Sequence, residues 1–156
     1  MSVAKDLHTS RIAHLDISGH VVVRAEATVA EVLDLMRENK AGAVLIGDDD
    51  NMLAGIFTER DALMKVVEDP ATWTRSITEF MTTAPQTVSL YETVGDALHM
   101  MNAGHYRNAP VLDTDGRIVG NVDHRMMIQF LTDRFPREIY NLPPDPEQIP
   151  RTKEGA

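Results

Sequence analysis

Thr58 and Asp61 are the residues whose types and spacing most directly suggest chemistry. They lie where a predicted strand ends and a predicted helix begins, and a helix N-terminus offers free N–H groups and a partial positive charge to an anion. Asp61 could accept two hydrogen bonds from a vicinal diol such as that of a ribose, and Thr58 could bond the sugar or a phosphate. The Thr-x-x-Asp spacing is also that of an ordinary helix cap, which stabilises by about 1 kcal/mol without any ligand. The spacing alone leaves both interpretations open.

The composition argues against several other kinds of chemistry. The chain has no Cys, which removes thiol catalysis and Cys-ligated metal centres. Its six His show no paired spacing typical of metal ligands, so we expect no metal site. We find no nucleophile arrangement of Ser or Lys and no phosphate-binding Gly loop, and we therefore do not expect an enzyme.

The charge balance limits the partners. The chain has 156 residues, with 15 Lys and Arg against 24 Asp and Glu, for a formal net charge of −9. Nucleic acids and anionic membrane surfaces both attract basic proteins, so neither is expected as the main partner. No apolar run approaches the roughly 20 residues that a membrane helix needs, and the N-terminus lacks the apolar stretch of a secretory signal. We expect a cytoplasmic protein.

The elements that must position Thr58 and Asp61 occur twice, because the sequence repeats with an offset of 65 residues. Between 27–65 and 92–130, 8 of 39 aligned positions are identical without a gap. Matching turn and cap residues make chance an unsatisfactory explanation. The identical pairs include Thr28 with Thr93, Asp48 with Asp113, Gly55 with Gly120, and Arg60 with Arg125.

Each copy has the pattern of one β-α-β-β-α unit. The first has predicted strands at 20–23, 43–46 and 52–57, with helices beginning after Thr28 and near Thr58. The second has predicted strands at 86–88, 109–112 and 117–122, with helices beginning after Thr93 and near Asp123. A unit of this size would leave one sheet face exposed, so we expect two units packed face to face with pseudo-two-fold symmetry. The predicted fold class is α/β (α+β), with a cleft where the sheets meet.

The predicted organisation in chain order has four parts. Residues 1–67 form the first repeat with an N-terminal segment, and 68–83 form a linker. Residues 84–135 form the second repeat. The Pro-rich remainder, 136–156, is predicted to be an extended tail because its prolines are incompatible with a helix or a central strand.

The doubled unit resembles a tandem CBS-domain pair, also called a Bateman module, of the stand-alone type. The resemblance rests on Gly55-Ile56-Phe57-Thr58-Glu59-Arg60-Asp61 in the first copy and Arg107-Asn108-Ala109-Pro110-Val111 in the second. It covers about residues 1–135. It implies that the chain dimerises, binds an adenosine nucleotide between its repeats and regulates another protein without being a catalyst.

The resemblance also implies one composite nucleotide site. Asp61 would bind the ribose, and Thr58 would lie close to the ribose and the phosphate. Arg107 and Asn108 stand where the family places phosphate contacts, immediately before the middle strand. Arg125, near the start of the last helix, stands at a second position that is basic in some nucleotide-binding members. The planar fork of an Arg suits phosphate oxygens.

The adenine would lie against Ile56 and an edge strand at 85–87, which contains Gln86 and Thr87, and backbone groups there would read its exocyclic amine. The second copy departs from this pattern. Asp123 and Met126 stand where the first copy has Thr58 and Asp61, and Met offers a ribose no useful acceptor. We therefore expect the second cleft to be weak, empty or suited to another ligand.

The sequence thus predicts a homodimeric regulatory sensor. It would bind AMP, ADP, ATP or NAD in its cleft and pass the resulting change to a regulated protein partner. The alternative is a structural or protein-interaction dimer with a vestigial cleft, whose dimer faces and Pro-rich tail bind a protein. Asp123 and Met126 in the second copy motivate this alternative.

Overall fold

The computed structural model describes residues 3–134, so the tail predicted at 136–156 lies outside the described residues. The helices are α1 (Val3–Thr9), α2 (Val29–Asn39), α3 (Glu59–Asp61), α4 (Val94–Gly104) and α5 (His124–Arg134). The strands are β1 (Val22–Val23), β2 (Ala43–Gly47), β3 (Leu53–Thr58), β4 (Thr82–Thr83), β5 (Val88–Ser89), β6 (Asn108–Leu112) and β7 (Ile118–Asp123). None of the helices in this part is long and apolar enough to cross a membrane.

The strands form two sheets. The first has the order β1-β2-β3-β4, and the second has the order β5-β6-β7. In each sheet a parallel pair is followed by an antiparallel hairpin, β2 with β3 and β6 with β7. The predicted pair of β-α-β-β-α units is therefore confirmed, with strand boundaries shifted by one or two residues.

The 65-residue offset of the sequence is also the offset of the structure. Val23 pairs with Ile46 in the first sheet, and Val88 pairs with Val111 in the second. Thr28 and Thr93 each close a reciprocal capping box at the start of their helix. The hydrogen bonds from Thr93 hold the pKa of Asp96 below its usual range. The capping predicted from sequence is confirmed in both repeats.

The second helix differs between the repeats. Both begin where predicted, after Thr58 and after Asp123. In the second repeat, α5 continues as a regular helix for 11 residues. In the first repeat, α3 has only 3 residues and continues as a π-helical turn, Ala62–Val66. The first-repeat helix is thus shorter and irregular directly beside Asp61.

The inner faces of the two sheets meet in a shared apolar layer. Leu45 and Ile56 of the first sheet pack with Ile118 of the second, and all three are buried. At the hairpin turns, Asn51 Nδ2 donates to the Ile118 carbonyl at 2.9 Å, and Ile118 N donates back to the Asn51 carbonyl at 2.9 Å. The face-to-face packing predicted for the repeats is confirmed.

The N-terminal segment precedes the first repeat in the chain but packs on the second. Ile12 is fully buried in the second-repeat core. Its backbone N donates to the Glu92 carbonyl at 2.9 Å, and Val94 N donates to the Ser10 carbonyl at 2.8 Å. By packing, this segment therefore belongs with the second repeat, although the grouping by chain order put it with the first.

Residues 75–83, within the predicted linker, play the matching part in the first repeat. Ile77 is fully buried there and lies 65 residues after Ile12. Ile77 N donates to the Ala27 carbonyl at 2.9 Å, and Val29 N donates to the Arg75 carbonyl at 3.0 Å. These are the same two bonds that tie the N-terminal segment to the second repeat.

The N-terminal segment and residues 75–83, which we call the closing segments, explain the glycines at matching positions 55 and 120. A Cβ at Gly55 would lie 2.8 Å from the Thr82 carbonyl oxygen, and one at Gly120 would lie 2.6 Å from Ile17 Cβ. Neither distance is compatible with a side chain. Both repeats therefore need glycine where the closing segment crosses the sheet.

We predict that Ile12→Ala and Ile77→Ala lower the free energy of unfolding by similar amounts, about 2–5 kcal/mol each. Each removes a fully buried side chain from an equivalent place in one repeat core. Urea denaturation followed by circular dichroism measures the effect, with the exposed neighbour variant His14→Ala as control. A loss below about 0.5 kcal/mol for Ile12→Ala would contradict the role given to the N-terminal segment.

Candidate functional site

Thr58 and Asp61 meet at the junction of β3 and α3. Thr58 N donates to Asp61 Oδ2 at 3.0 Å, and Asp61 N donates to Thr58 Oγ1 at 3.3 Å. The Thr58 hydroxyl also donates to Asp61 Oδ2 at 3.2 Å. The capping interpretation of this pair is therefore realised in the fold. A role in ligand binding would use the same carboxylate.

Asp61 also has two partners that the sequence analysis missed. Lys65 Nζ lies 2.9 Å from Asp61 Oδ1, and the Thr82 hydroxyl donates to the same oxygen at 3.3 Å. Asp61 is only 8% exposed, which makes it one of the few buried polar residues in the described part of the chain. The spacing of Asp61 and Lys65 by four residues on a helix is a recognisable signal for this ion pair. Nothing local predicts Thr82.

Thr82 reaches Asp61 because β4 lies along the edge of the first sheet. In that pairing Ile56 stands opposite Thr82, and Gly55 stands opposite Thr83. The predicted edge strand at 85–87 is therefore wrong, since the strand beside Ile56 lies at 82–83. Ala84 has a φ of +48°, which ends β4 and turns the chain toward the second sheet.

The residues expected to contact the base are not all in one kind of environment. Ile56 is buried in the layer between the sheets. Gln86 is exposed and Thr87 is partly buried, and both lie in the connection between β4 and β5. Their contact with a base stays a prediction.

Arg107 and Asn108, at the start of β6, and Arg125, in the first turn of α5, lie near the same end of the second sheet. Asn108 stands opposite Asp123 where β6 begins and β7 ends. His124 N donates to the Arg107 carbonyl at 2.9 Å, which holds the segment before β6 beside the start of α5. Both arginines are exposed, and Asn108 Oδ1 accepts a hydrogen bond from Asn121 Nδ2 at 3.1 Å. Two guanidinium groups that could contact an anion therefore lie at this end of the sheet, together with the Asp123 carboxylate.

The eight predicted residues thus fall into a first-repeat group around Asp61, a second-repeat group around Arg107, and the connection that carries Gln86. Within residues 3–134, no hydrogen bond or ion pair links the groups around Asp61 and Arg107. Their joint use by one ligand stays a prediction.

The corresponding positions of the second repeat are mostly apolar. Asp123 stands in place of Thr58 and caps α5, where it accepts a hydrogen bond from Met126 N at 2.8 Å. The positions of Asp61, Lys65 and Thr82 are taken by Met126, Phe130 and Ile17. Phe130 is buried in the second-repeat core, and Ile17 packs against that core. The buried acid with its hydrogen-bond donors is therefore a feature of the first repeat.

Two other features of the described residues lie away from this site. A shallow groove of about 470 Å³ is lined by β1 and α2, including Val23, Leu35 and Glu38, and contains none of the predicted site residues. Across 3–134, no three His, Asp or Glu side chains are grouped so that they could hold a metal ion.

Comparison with known proteins gives two matches to one family model. The model of the CBS domain matches residues 4–68 and 77–133. A CBS domain-containing protein of Arabidopsis thaliana, CBSCBSPB3, is 33% identical over 109 residues. That match covers 69% of this chain but only 19% of the Arabidopsis protein.

Solved structures share the fold. The crystal structure of CBSX2 in complex with AMP has a TM-score of 0.69 and 21% identity, covering 80% of this chain and 98% of that one. The cytosolic domain of the Mg²⁺ channel MgtE in complex with ATP has a TM-score of 0.61 and 24% identity. It covers 73% of this chain and 46% of that one.

We predict that Asp61→Ala destabilises the protein by about 1–3 kcal/mol, because the mutation leaves the Thr58 N–H without its acceptor and Lys65 without its ion-pair partner. Asp123→Ala, which removes only a cap, should cost about 1 kcal/mol. Urea denaturation of both variants gives the comparison. If Asp61→Ala were as stable as the parent protein, the bonds to Asp61 would not contribute to the fold.

Proposed function

The chain belongs to the CBS domain family, and on that premise we propose that it is a regulatory sensor of an adenine nucleotide. The ligand would be AMP, ADP, ATP or NAD, bound in the cleft between the repeats. The observation that carries the proposal is the nearly buried carboxylate of Asp61 at the start of α3, held by Thr58 at the end of β3. The family's structures with AMP and with ATP, CBSX2 and the MgtE cytosolic domain, support this class of ligand.

The sugar end of the site consists of Asp61 and Thr58. A carboxylate can accept two hydrogen bonds from the 2′ and 3′ hydroxyls of a ribose. Ile56 precedes Thr58 by two residues on the same strand, so its side chain is on the same face. It offers an apolar wall beside the sugar for the base, with Gln86 and Thr87 completing the base subsite.

The phosphate end consists of Arg107, Asn108 and Arg125. In the described residues neither guanidinium has an ion-pair partner, so both are available to an anion. In a chain of net charge −9, two arginines near the same end of the second sheet would provide local positive charge for a phosphate.

The asymmetry between the repeats supports one nucleotide per chain. Met126, Phe130 and Ile17 replace the acid and its donors, and none of these side chains can bind a diol. The second cleft would therefore not take a nucleotide in the same way. No group on either repeat is assigned a catalytic role, and the ligand would act by biasing the arrangement of the repeats.

We further propose that the chain is a homodimer through the second helices of its repeats. Leu63 and Met64, in the π-helical turn, are 69% and 75% exposed. Ile128, which is 50% exposed, stands 65 residues after Leu63 at the matching place on α5. A pseudo-symmetric pair of apolar surfaces suits a two-fold contact with a second copy. It is also the observation that favours the alternative function, an interaction module with a vestigial cleft.

We predict that the protein binds one AMP per chain, measured by isothermal titration calorimetry. Asp61→Asn should weaken the binding of both AMP and adenosine by about tenfold or more, because the diol loses a charged acceptor. Arg107→Ala should weaken AMP but not adenosine, since only AMP carries a phosphate. The matched controls are Asp96→Asn, at an exposed capping carboxylate of α4, and Arg117→Ala, which should both bind AMP as the parent does.

The result that would overturn the sensor proposal is a folded protein with no heat of binding and no thermal shift for AMP, ADP, ATP or NAD. A ligand at about 100 times its dissociation constant stabilises a protein by about 2.7 kcal/mol, which a thermal melt detects readily. In that case the interaction module would become the better account.

We predict that the double variant Leu63→Glu with Ile128→Glu is monomeric in light scattering coupled to size exclusion, because buried charges would face each other across the contact. Tyr91→Glu, which changes an exposed side chain 61% accessible and outside the second helices, is the control. A double variant that still migrates as a dimer would contradict this interface. Its AMP affinity shows separately whether the cleft works in a single chain.

A further inference from the structure

Asp61 has no acceptor position left for a ligand. A carboxylate offers about four acceptor positions. At Oδ2, the Thr58 backbone N and hydroxyl donate at 3.0 and 3.2 Å. At Oδ1, Lys65 Nζ lies at 2.9 Å and the Thr82 hydroxyl at 3.3 Å. A diol therefore cannot be added to this carboxylate and must replace donors of the protein.

The donors differ in how readily they can leave. The Thr58 N–H is fixed in the backbone at the start of α3, and its loss would open the cap. Lys65 has a side chain that is 39% exposed, so its ammonium group can move into water. Thr82 is an exposed residue of the edge strand β4. Lys65 and Thr82 together present two donors to Oδ1, where a ribose would present its own two hydroxyls.

We propose that Lys65 is a built-in competitor for the diol-binding carboxylate, so that a nucleotide binds only by displacing its ammonium group from Asp61. This inference rests on the proposed function, because it assigns regulation to the same site. The apparent affinity is then the intrinsic affinity multiplied by the fraction of molecules in which Lys65 has left. Lys65 sets the concentration at which the sensor responds.

Displacement of Lys65 also reaches the segment that closes the first repeat. Lys65 Nζ donates to the Phe80 carbonyl at 2.8 Å, and Phe80 lies two residues before β4. When the ammonium group leaves Asp61, this second bond is no longer held in place by the ion pair. Occupancy of the site is thereby linked to the stretch of chain that leads from the first sheet to the second.

The test uses adenosine, which carries the diol without a phosphate, and 2′-deoxyadenosine, which lacks one of the two hydroxyls. Calorimetry compares the parent protein with Lys65→Met and with Lys40→Met, an exposed lysine at the end of α2. Lys65→Met should bind adenosine about threefold to tenfold more tightly, because the competitor is gone. Lys40→Met should bind adenosine as the parent does. Lys65→Met should increase the affinity for 2′-deoxyadenosine less than it increases the affinity for adenosine.

A second measurement needs no variant. Salt weakens a partly exposed ion pair, whereas adenosine itself is uncharged. The parent protein should therefore bind adenosine more tightly as NaCl is raised from about 50 mM to about 500 mM, and Lys65→Met should not respond. If adenosine binds too weakly to measure, AMP against 2′-deoxy-AMP gives the same comparison between parent and Lys65→Met.

The outcomes separate this inference from the function on which it rests. Unchanged adenosine affinity in a folded Lys65→Met, with no salt response in the parent, would contradict the competitor role of Lys65. Weaker binding of AMP by Lys65→Met, with unchanged binding of adenosine, would also contradict that role and would make Lys65 a phosphate contact. A folded parent and a folded Lys65→Met that bind neither adenosine nor AMP would instead remove the proposed nucleotide function, and the competitor with it.

Discussion

Neither repeat can bury both faces of its own sheet, and the rest of the structure depends on how the second face is covered. Each sheet covers its outer face with its own helices, which form two separate cores. The inner faces cover each other through Leu45, Ile56 and Ile118. Thr58 ends the strand that carries Ile56, so the proposed sugar site begins where this apolar layer ends. The packing that stabilises the fold therefore also positions the proposed sugar site.

The chain passes between the repeats twice, because the N-terminal segment packs on the second repeat and residues 75–83 pack on the first. Ile12 and Ile77 fill the same place in the two cores, with the same backbone bonds. The first segment closes the second repeat, and the second closes the first. Each connection between the repeats therefore adjoins a segment whose residues are buried in a repeat core.

The two repeats have the same arrangement of strands but differ in their second helices and in the side chains at matching positions there. In the second, Phe130 joins the core and α5 is a regular helix. In the first, Lys65 takes the position of Phe130 and turns to Asp61, and the helix becomes a short α turn followed by a π turn. Leu63 and Met64 are exposed on the outside of this helix. The proposed site and the proposed dimer surface are thus two sides of the same irregular helix.

The sequence by itself determined the doubled unit, its caps and most of its strands, because these depend on residues close together in the chain. The capping boxes at Thr28 and Thr93 and the pairing of β2 with β3 follow from local spacing. The Thr58 and Asp61 contact was predictable for the same reason. The family resemblance supplied the proposed phosphate contacts, which the spacing of these residues does not indicate.

Only the tertiary structure decided which distant segments complete these local units. The Thr82 hydroxyl reaches Asp61 across 21 residues, and Ile12 enters a core whose other buried residues lie from Val88 onward. The edge strand lies at 82–83 and not at 85–87 because Ala84 turns the chain there. Such contacts depend on which exposed sheet edge or core opening a segment meets when the whole chain packs. That choice is a property of the assembled fold, and residue types along the chain do not encode it locally.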